Sequence, residues 1–257
     1  MKSVFISGSI SIKTLSNEVI KSFDKIISQN ILVYVGDANG IDTLTQNYFA
    51  SKNYTNLIVC SIYERPRNLA SNFFEIKKVN YDTNIVSERE KQTTKDIYMT
   101  KHSDYSFIIW DGKSKGSYAN IIRAIENEKK LKVYHLQEDR CLTTHELKIE
   151  NIETIYKSST GYTASEIIKK IKASDLYIGI SKASELKEWL INHKVFTITK
   201  NKIEINKEYK NYFIVENYRG NQTVKYKYDV IDLLGKNSIF GFGQWWISNH
   251  IEKLNLH

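Results

Sequence analysis

The chain has 257 residues, 41% of them hydrophobic and 26% charged, with a mean hydropathy of −0.42. That balance belongs to an ordinary globular protein and argues against a disordered or membrane-embedded chain. No apolar run approaches the roughly 18 residues of a membrane helix, and MKSVFISGSI is too briefly apolar for a secretory leader. A cytoplasmic protein with no membrane partner is expected, built of one domain of about 140 residues and a smaller second one.

The net charge of +8 suits a polyanionic partner. The basic side chains are nonetheless scattered, and Lys and Asn are abundant throughout, so a generally basic solvated surface accounts for the charge as well. Cys60 and Cys141 stand far apart at no metal-ligand spacing and read as reduced thiols. His102, His135, His145, His193, His250 and His257 also lack ligand spacing, and the zinc-protease, nucleophile-elbow and P-loop patterns are missing. No metal and no required cofactor are expected.

In chain order, SVFIS (3 to 7) reads as a buried strand, and Leu15, Val19, Ile20, Phe23, Ile26 and Ile27 follow at helical spacing. ILVYV (31 to 35) is a second strand, 41 to 51 a helix, and LIVC (57 to 60) a third strand. The only proline lies in SIYERPRN (61 to 68), which opens an expected loop reaching to about residue 87. Residues 88 to 102 read as a helix, YSFIIW (105 to 110) as a strand, 117 to 129 as a helix with Ile121, Ile122, Ala124 and Ile125 on one face, and LKVY (131 to 134) as the last strand. Strands alternating with amphipathic helices predict an α/β fold, a Rossmann-like parallel sheet with helices on both faces, over residues 1 to 138.

Such sheets bind ligands beyond the carboxyl ends of the strands, where the strand order reverses. With the order 3-2-1-4-5 the reversal falls between the strands ending at Ser7 and Trp110, flanked by SGSIS (7 to 11) and WDGKSKGS (110 to 117), with GDANGID (36 to 42) beside them. Gly8, Gly36, Gly40, Gly112 and Gly116 would let backbone approach a ligand, and Ser7, Ser9, Ser114 and Ser117, with Lys113 and helix-start N–H groups, would hold phosphate. Trp110, which closes the strand above this loop, is expected among the ligand-binding residues. Asp37, Asp42 and Asp111 would accept from ribose hydroxyls; Asp37 and Asp42 read equally well as turn or cap residues. Arg65 and Arg67 would reach back over phosphates, with Asn68 reading a base, or else belong to a solvated loop.

GSI, GDANGID and KDIYMTKHSDYSFIIWDGKSKGS (95 to 117) resemble the SLOG superfamily, the Rossmann-like group that includes the lonely-guy phosphoribohydrolases and the DNA-processing protein A fold. The likeness covers roughly residues 1 to 135. It implies a nucleotide-related ligand: a nucleoside monophosphate, an NAD derivative or a cyclic signalling nucleotide of bacteria–phage conflict. A more distant likeness to nucleoside 2-deoxyribosyltransferases places Asp96 where those enzymes carry an aspartate. The enzymatic relatives have a P-G-G-x-G-T-x-x-E loop, and four residues after Gly116 this chain has Asn120, which cannot serve as nucleophile or general base. Asn120 can still hydrogen-bond a ribose or base. N-glycosidic chemistry would therefore need Asp37, Asp96 or Asp111.

Residues 139 to 160 are polar and read as a linker. From 161 to 257 a smaller α+β domain resembling a winged helix is expected. T-x-x-E at Thr163 opens a helix over 163 to 171, Leu186, Trp189, Leu190 and Val195 mark a second over 181 to 195, 196 to 205 reads as strand and turn, and 221 to 235 contains a strand with Tyr226 and Tyr228 on one face. As a DNA-binding module it would use 181 to 195 as recognition helix and Lys200, Lys202, Lys225 and Lys227 on phosphates. Glu185 and Glu188 suit a groove poorly, and a protein-contact or oligomerisation module fits as well; a homo-oligomer is expected. Trp245, Trp246, Ile247 and Ile251 read as core of a terminal helix rather than a stacking platform.

Overall fold

The computed structural model describes residues 1–174, 179–200, 202–218 and 220–235; the terminal helix expected over 241 to 254 lies outside them. The chain divides into two compact units, Met1–Tyr156 and Lys157–His257. Among the described residues no helix is long and apolar enough to cross a membrane.

Unit 1 is a mostly parallel sheet flanked by helices, as the alternating pattern predicts. Its strands are β1 (Ser3–Gly8), β2 (Leu32–Val35), β3 (Leu57–Ser61), β4 (Glu75–Lys78), β5 (Tyr105–Trp110), β6 (Lys130–His135) and β7 (Arg140–Cys141), in the spatial order β4-β3-β2-β1-β5-β6-β7. All neighbours run parallel except β6 and β7. The five expected strands keep the expected order, and the reversal lies between β1 and β5, with Gly8 opposite Ile109. β1 and β5 are buried almost throughout because each face carries its own helix layer.

On one face, α1 (Asn17–Ser28) and α2 (Ile41–Ser51) press Val19, Phe23, Ile41 and Phe49 onto Val4, Ile6, Val33 and Val35. On the other, α3 (Glu88–His102) packs Met99 against Phe5 and Cys60, and α4 (Lys115–Glu126) packs Ile121 against Ile108, Trp110 and Val133. Two expectations change. The segment 61 to 87 is not all loop: Glu75–Lys78 adds β4 to the sheet, and because EIKK is exposed at all four positions it carries no apolar run to announce it. The expected linker holds a helix, α5 (Ile149–Thr160), whose Ile152 is buried beside Ile108 and Trp110 with Ile155 and Tyr156 alongside. That stripe is short and diluted by Glu150, Glu153 and Lys157, so its periodicity is weak.

Unit 2 contains α6 (Ala164–Ala173), α7 (Ala183–Asn192), the antiparallel pair β8 (Phe196–Thr199) and β9 (Lys202–Ile205), and the antiparallel pair β10 (Phe213–Tyr218) and β11 (Asn221–Tyr226). Its own core joins Ile167, Ile171, Leu186, Leu190, Phe196 and Phe213. β11 ends at Tyr226, which is buried, while Tyr228 lies beyond the strand and is exposed, so the two do not form the expected strand face.

The T-x-x-E signature is a complete capping box. Thr163 Oγ1 accepts from Glu166 N at 3.3 Å, and Glu166 Oε2 accepts from Thr163 N at 2.7 Å. Thr163→Ala is expected to lower the stability of the full chain by about 1 kcal/mol in urea unfolding, with Thr163→Ser nearly neutral.

Candidate functional site

The loops after β1 and β5 are tied together at the sheet reversal. Ser9, fully buried, accepts from Asp111 N at 3.1 Å and lies 3.3 Å from Ser117 Oγ, while its own N–H donates to Ile109 O at 3.0 Å. Ser11 Oγ donates to Asp111 Oδ2 at 2.6 Å, and Asp111 Oδ1 accepts from Lys113 N at 2.9 Å and Ser114 N at 2.7 Å. Partial burial disfavours the charged Asp111, but these hydrogen bonds outweigh it and hold the carboxyl below its ordinary range. Asp111 therefore organises its own loop, with Gly112 at φ 76° making the turn and Ser114 capping α4. Ser9 and Ser117 are spent as the lock between the loops rather than presented to solvent. Trp110 is fully buried; its Nε1 donates to Ser114 O at 3.2 Å and props the loop from within the core, so it does not line a ligand surface.

What this edge does present is the first turn of α4. Gly116 is exposed, and a Cβ built there would meet nothing within 4 Å. Exposed Lys113 and Lys115 flank it.

GDANGID is engaged within the protein itself. Asp37 is fully buried and takes five donors: Ser61 Oγ at 2.9 Å, Arg67 N at 3.1 Å, Arg67 Nε at 3.2 Å, Arg67 Nη2 at 2.8 Å and Lys95 Nζ at 2.9 Å. A carboxylate offers about four lone-pair sites, so nothing is left for a ribose hydroxyl or a proton transfer. Burial alone would raise its pKa; the Arg67 and Lys95 contacts overcome this and hold it far below the usual carboxylate range. Asn68 Nδ2 donates to Asp37 O at 2.8 Å and Asn39 Oδ1 at 3.2 Å, so Arg67 and Asn68 close their loop onto this turn instead of meeting a phosphate and a base. Arg65 is exposed and makes no hydrogen bond or ion pair among the described residues.

The glycines of this turn serve the chain itself. A Cβ at Gly36 would sit 2.3 Å from Asp42 Oδ2 and 3.0 Å from Lys95 Nζ; Gly40, at φ 75°, would place one 2.5 Å from Ile10 Cα. Asp42, nearly buried at the start of α2, accepts from Ala38 N at 3.1 Å. Burial pushes its carboxyl up to about 6; Lys95 opposes the shift and Asp96 and Asp37 add to it.

Beneath the loops, α3 and α4 contribute Lys95, Asp96, Asn120 and Arg123. Asn120 Nδ2 donates to Ser7 Oγ at 3.2 Å, and Asn120 Oδ1 accepts from Arg123 Nη1. Asp96 is half-buried, and desolvation raises its pKa against the pull of Lys95, Arg123 and the Asn120 amide. Of the three candidate carboxylates, Asp37 and Asp111 are consumed by several structural hydrogen bonds each, whereas Asp96 has the Asn120 amide beside the charges of Lys95 and Arg123. Lys95 and Arg123 escape motif reading because they sit inside helices. The available signal was Lys95 one turn before Met99, a lysine in the buried stripe of α3. Among the described residues no cluster of three side chains could hold a metal.

No family model matches the sequence, and no curated protein matches it. A solved structure of DNA processing protein A from Helicobacter pylori, described by its single-stranded DNA binding mode, is similar over 61% of this chain and 81% of its own, at 19% identity and a TM-score of 0.42.

Proposed function

We propose that unit 1 binds a nucleotide-type ligand, an NAD derivative or signalling nucleotide included, at the carboxyl edge of the sheet between β1 and β5. The observation that carries this reading is the pair of loops tied by Ser9, Ser117, Ser11 and Asp111 at the sheet reversal, which leaves the Gly116 turn open between Lys113 and Lys115. Crevices at such reversals are where open α/β sheets take ligands, and N–H groups of a helix start favour phosphate. The SLOG likeness supports the same ligand class and a setting in phage defence.

Gly116→Val tests the reading. Because a Cβ at this position has open space around it, folding and melting temperature should stay close to those of the wild type, whereas affinity for the nucleotides that bind in a panel of AMP, NAD and cyclic dinucleotides should fall by at least about tenfold, about 1.4 kcal/mol. Wild-type protein that binds none of them in native mass spectrometry, or a variant that binds equally well, would overturn it.

A second reading rests on Asp96, a carboxyl beside Asn120 whose pKa burial raises above the ordinary carboxylate value, which suits a role in proton transfer and so in N-glycosidic cleavage. Free base released by the wild type and not by Asp96→Asn supports it; no release from either removes it.

A further inference from the structure

On the face of the sheet that α1 and α2 cover, the cover stops at β5. α5, the last helix of unit 1, packs on the opposite face through Ile152, so among the described residues of this unit no helix lies beside α1 over β5 and β6. Parallel sheets are ordinarily covered on both faces. What remains here is a groove of about 430 Å³ between α1 and β6.

Its lining is of one sign. Lys25 stands on the α1 wall, Lys130 and Lys132 on the β6 wall, and no aspartate or glutamate lines it. The alternation KLKVYH explains the strand wall, since Leu131 and Val133 turn to the α4 side and the two lysines turn the other way. The floor is apolar, made by Val4, Ile26 and Phe107. Lys130 Nζ lies 5.6 Å from the Tyr105 ring centre and Lys132 Nζ 5.4 Å from that of Phe107, and Lys132 also donates across the groove to Ser22 Oγ at 2.7 Å.

We propose that this groove docks an acidic amphipathic helix of a partner protein. The site beside α1 is the one a covering helix would take, its floor accepts an apolar stripe, and its cations stand on both walls to meet carboxylates flanking that stripe. Those carboxylates would draw the lysines off the two rings and uncover the floor they now roof. A nucleic-acid strand fits less well, because the apolar lining is largely aliphatic, at Val4, Ile26 and Ile31, and no arginine lines the groove.

The test is selection of phage-displayed amphipathic helices, with randomised flanking positions, on the full chain, followed by binding to K25E/K130E/K132E and to the milder K130Q/K132Q. Enrichment of glutamate and aspartate beside the apolar stripe is expected. Selected peptides should bind at least tenfold less well to the triple variant and severalfold less well to the double one, with Gly116→Val unaffected. Helices enriched without acidic flanks, peptides that bind the lysine variants undiminished, or displacement of a bound peptide by a single-stranded oligonucleotide that itself loses affinity in K25E/K130E/K132E would overturn the proposal.

Discussion

Asp37→Ala is expected to cost the protein about 3 to 5 kcal/mol, because removing one partner of a buried ion pair strands the other. The stranded group is Lys95, 3% exposed and held by Asp37 at 2.9 Å. Arg67 is partly exposed and returns to solvent, so its share of the loss is small. Urea unfolding measures the effect. Pairing the change with Lys95→Met should recover much of it, since the buried charge then disappears with its partner. A loss below about 1 kcal/mol for Asp37→Ala would mean that water reaches Lys95 and that the cluster is not the keystone of this edge.

The second large effect is a pH dependence of opposite sign at two neighbouring carboxyls. Asp42 titrates at about 6 in the folded chain and near 4 when unfolded. Between those values the folded state keeps a proton that the unfolded state has released, so stability falls as the pH rises through this window and stays lower above it. The predicted loss is on the order of 2 to 3 kcal/mol. Asp42→Asn keeps an acceptor for Ala38 N and should flatten the curve between about pH 4 and 6 while stabilising the protein at pH 8. Asp37 behaves in reverse: its folded pKa is depressed, so its contribution is present above about pH 4 and is lost as the pH falls below that. If Asp42→Asn leaves the stability profile between pH 4 and 8 unchanged, the carboxyl is ionised in the fold as it is in water.

The sheet was legible because its central strands are short β-branched runs buried on both faces, and the helices of unit 1 between them keep one apolar stripe each. α3 matches its expected limits of 88 to 102 although its apolar content is low. What escaped was whatever drew its order from a neighbour: β4 is held by β3 alone, and α5 by the few apolar contacts of Ile152, Ile155 and Tyr156. The site was legible as a place and much less so as chemistry. Sequence located the three loops at one edge but could not tell that Asp37 faces inward to Lys95, fifty-eight positions away. Glycine was the least informative residue type: Gly8, Gly36 and Gly40 accommodate protein atoms, whereas Gly116 borders open space.

The two margins of the sheet limit how copies of this chain can associate. On one margin β4, among the described residues, has an unpaired side with Glu75, Lys77 and Lys78 along four exposed residues; on the other, β7 is two residues long and runs against its neighbour. Short, charged or reversed edges resist strand addition by another molecule. Oligomers of this protein should accordingly assemble through helix or loop surfaces rather than by extending one sheet into the next, and the folded chain should remain dispersed at concentrations where a flat apolar edge would seed fibres.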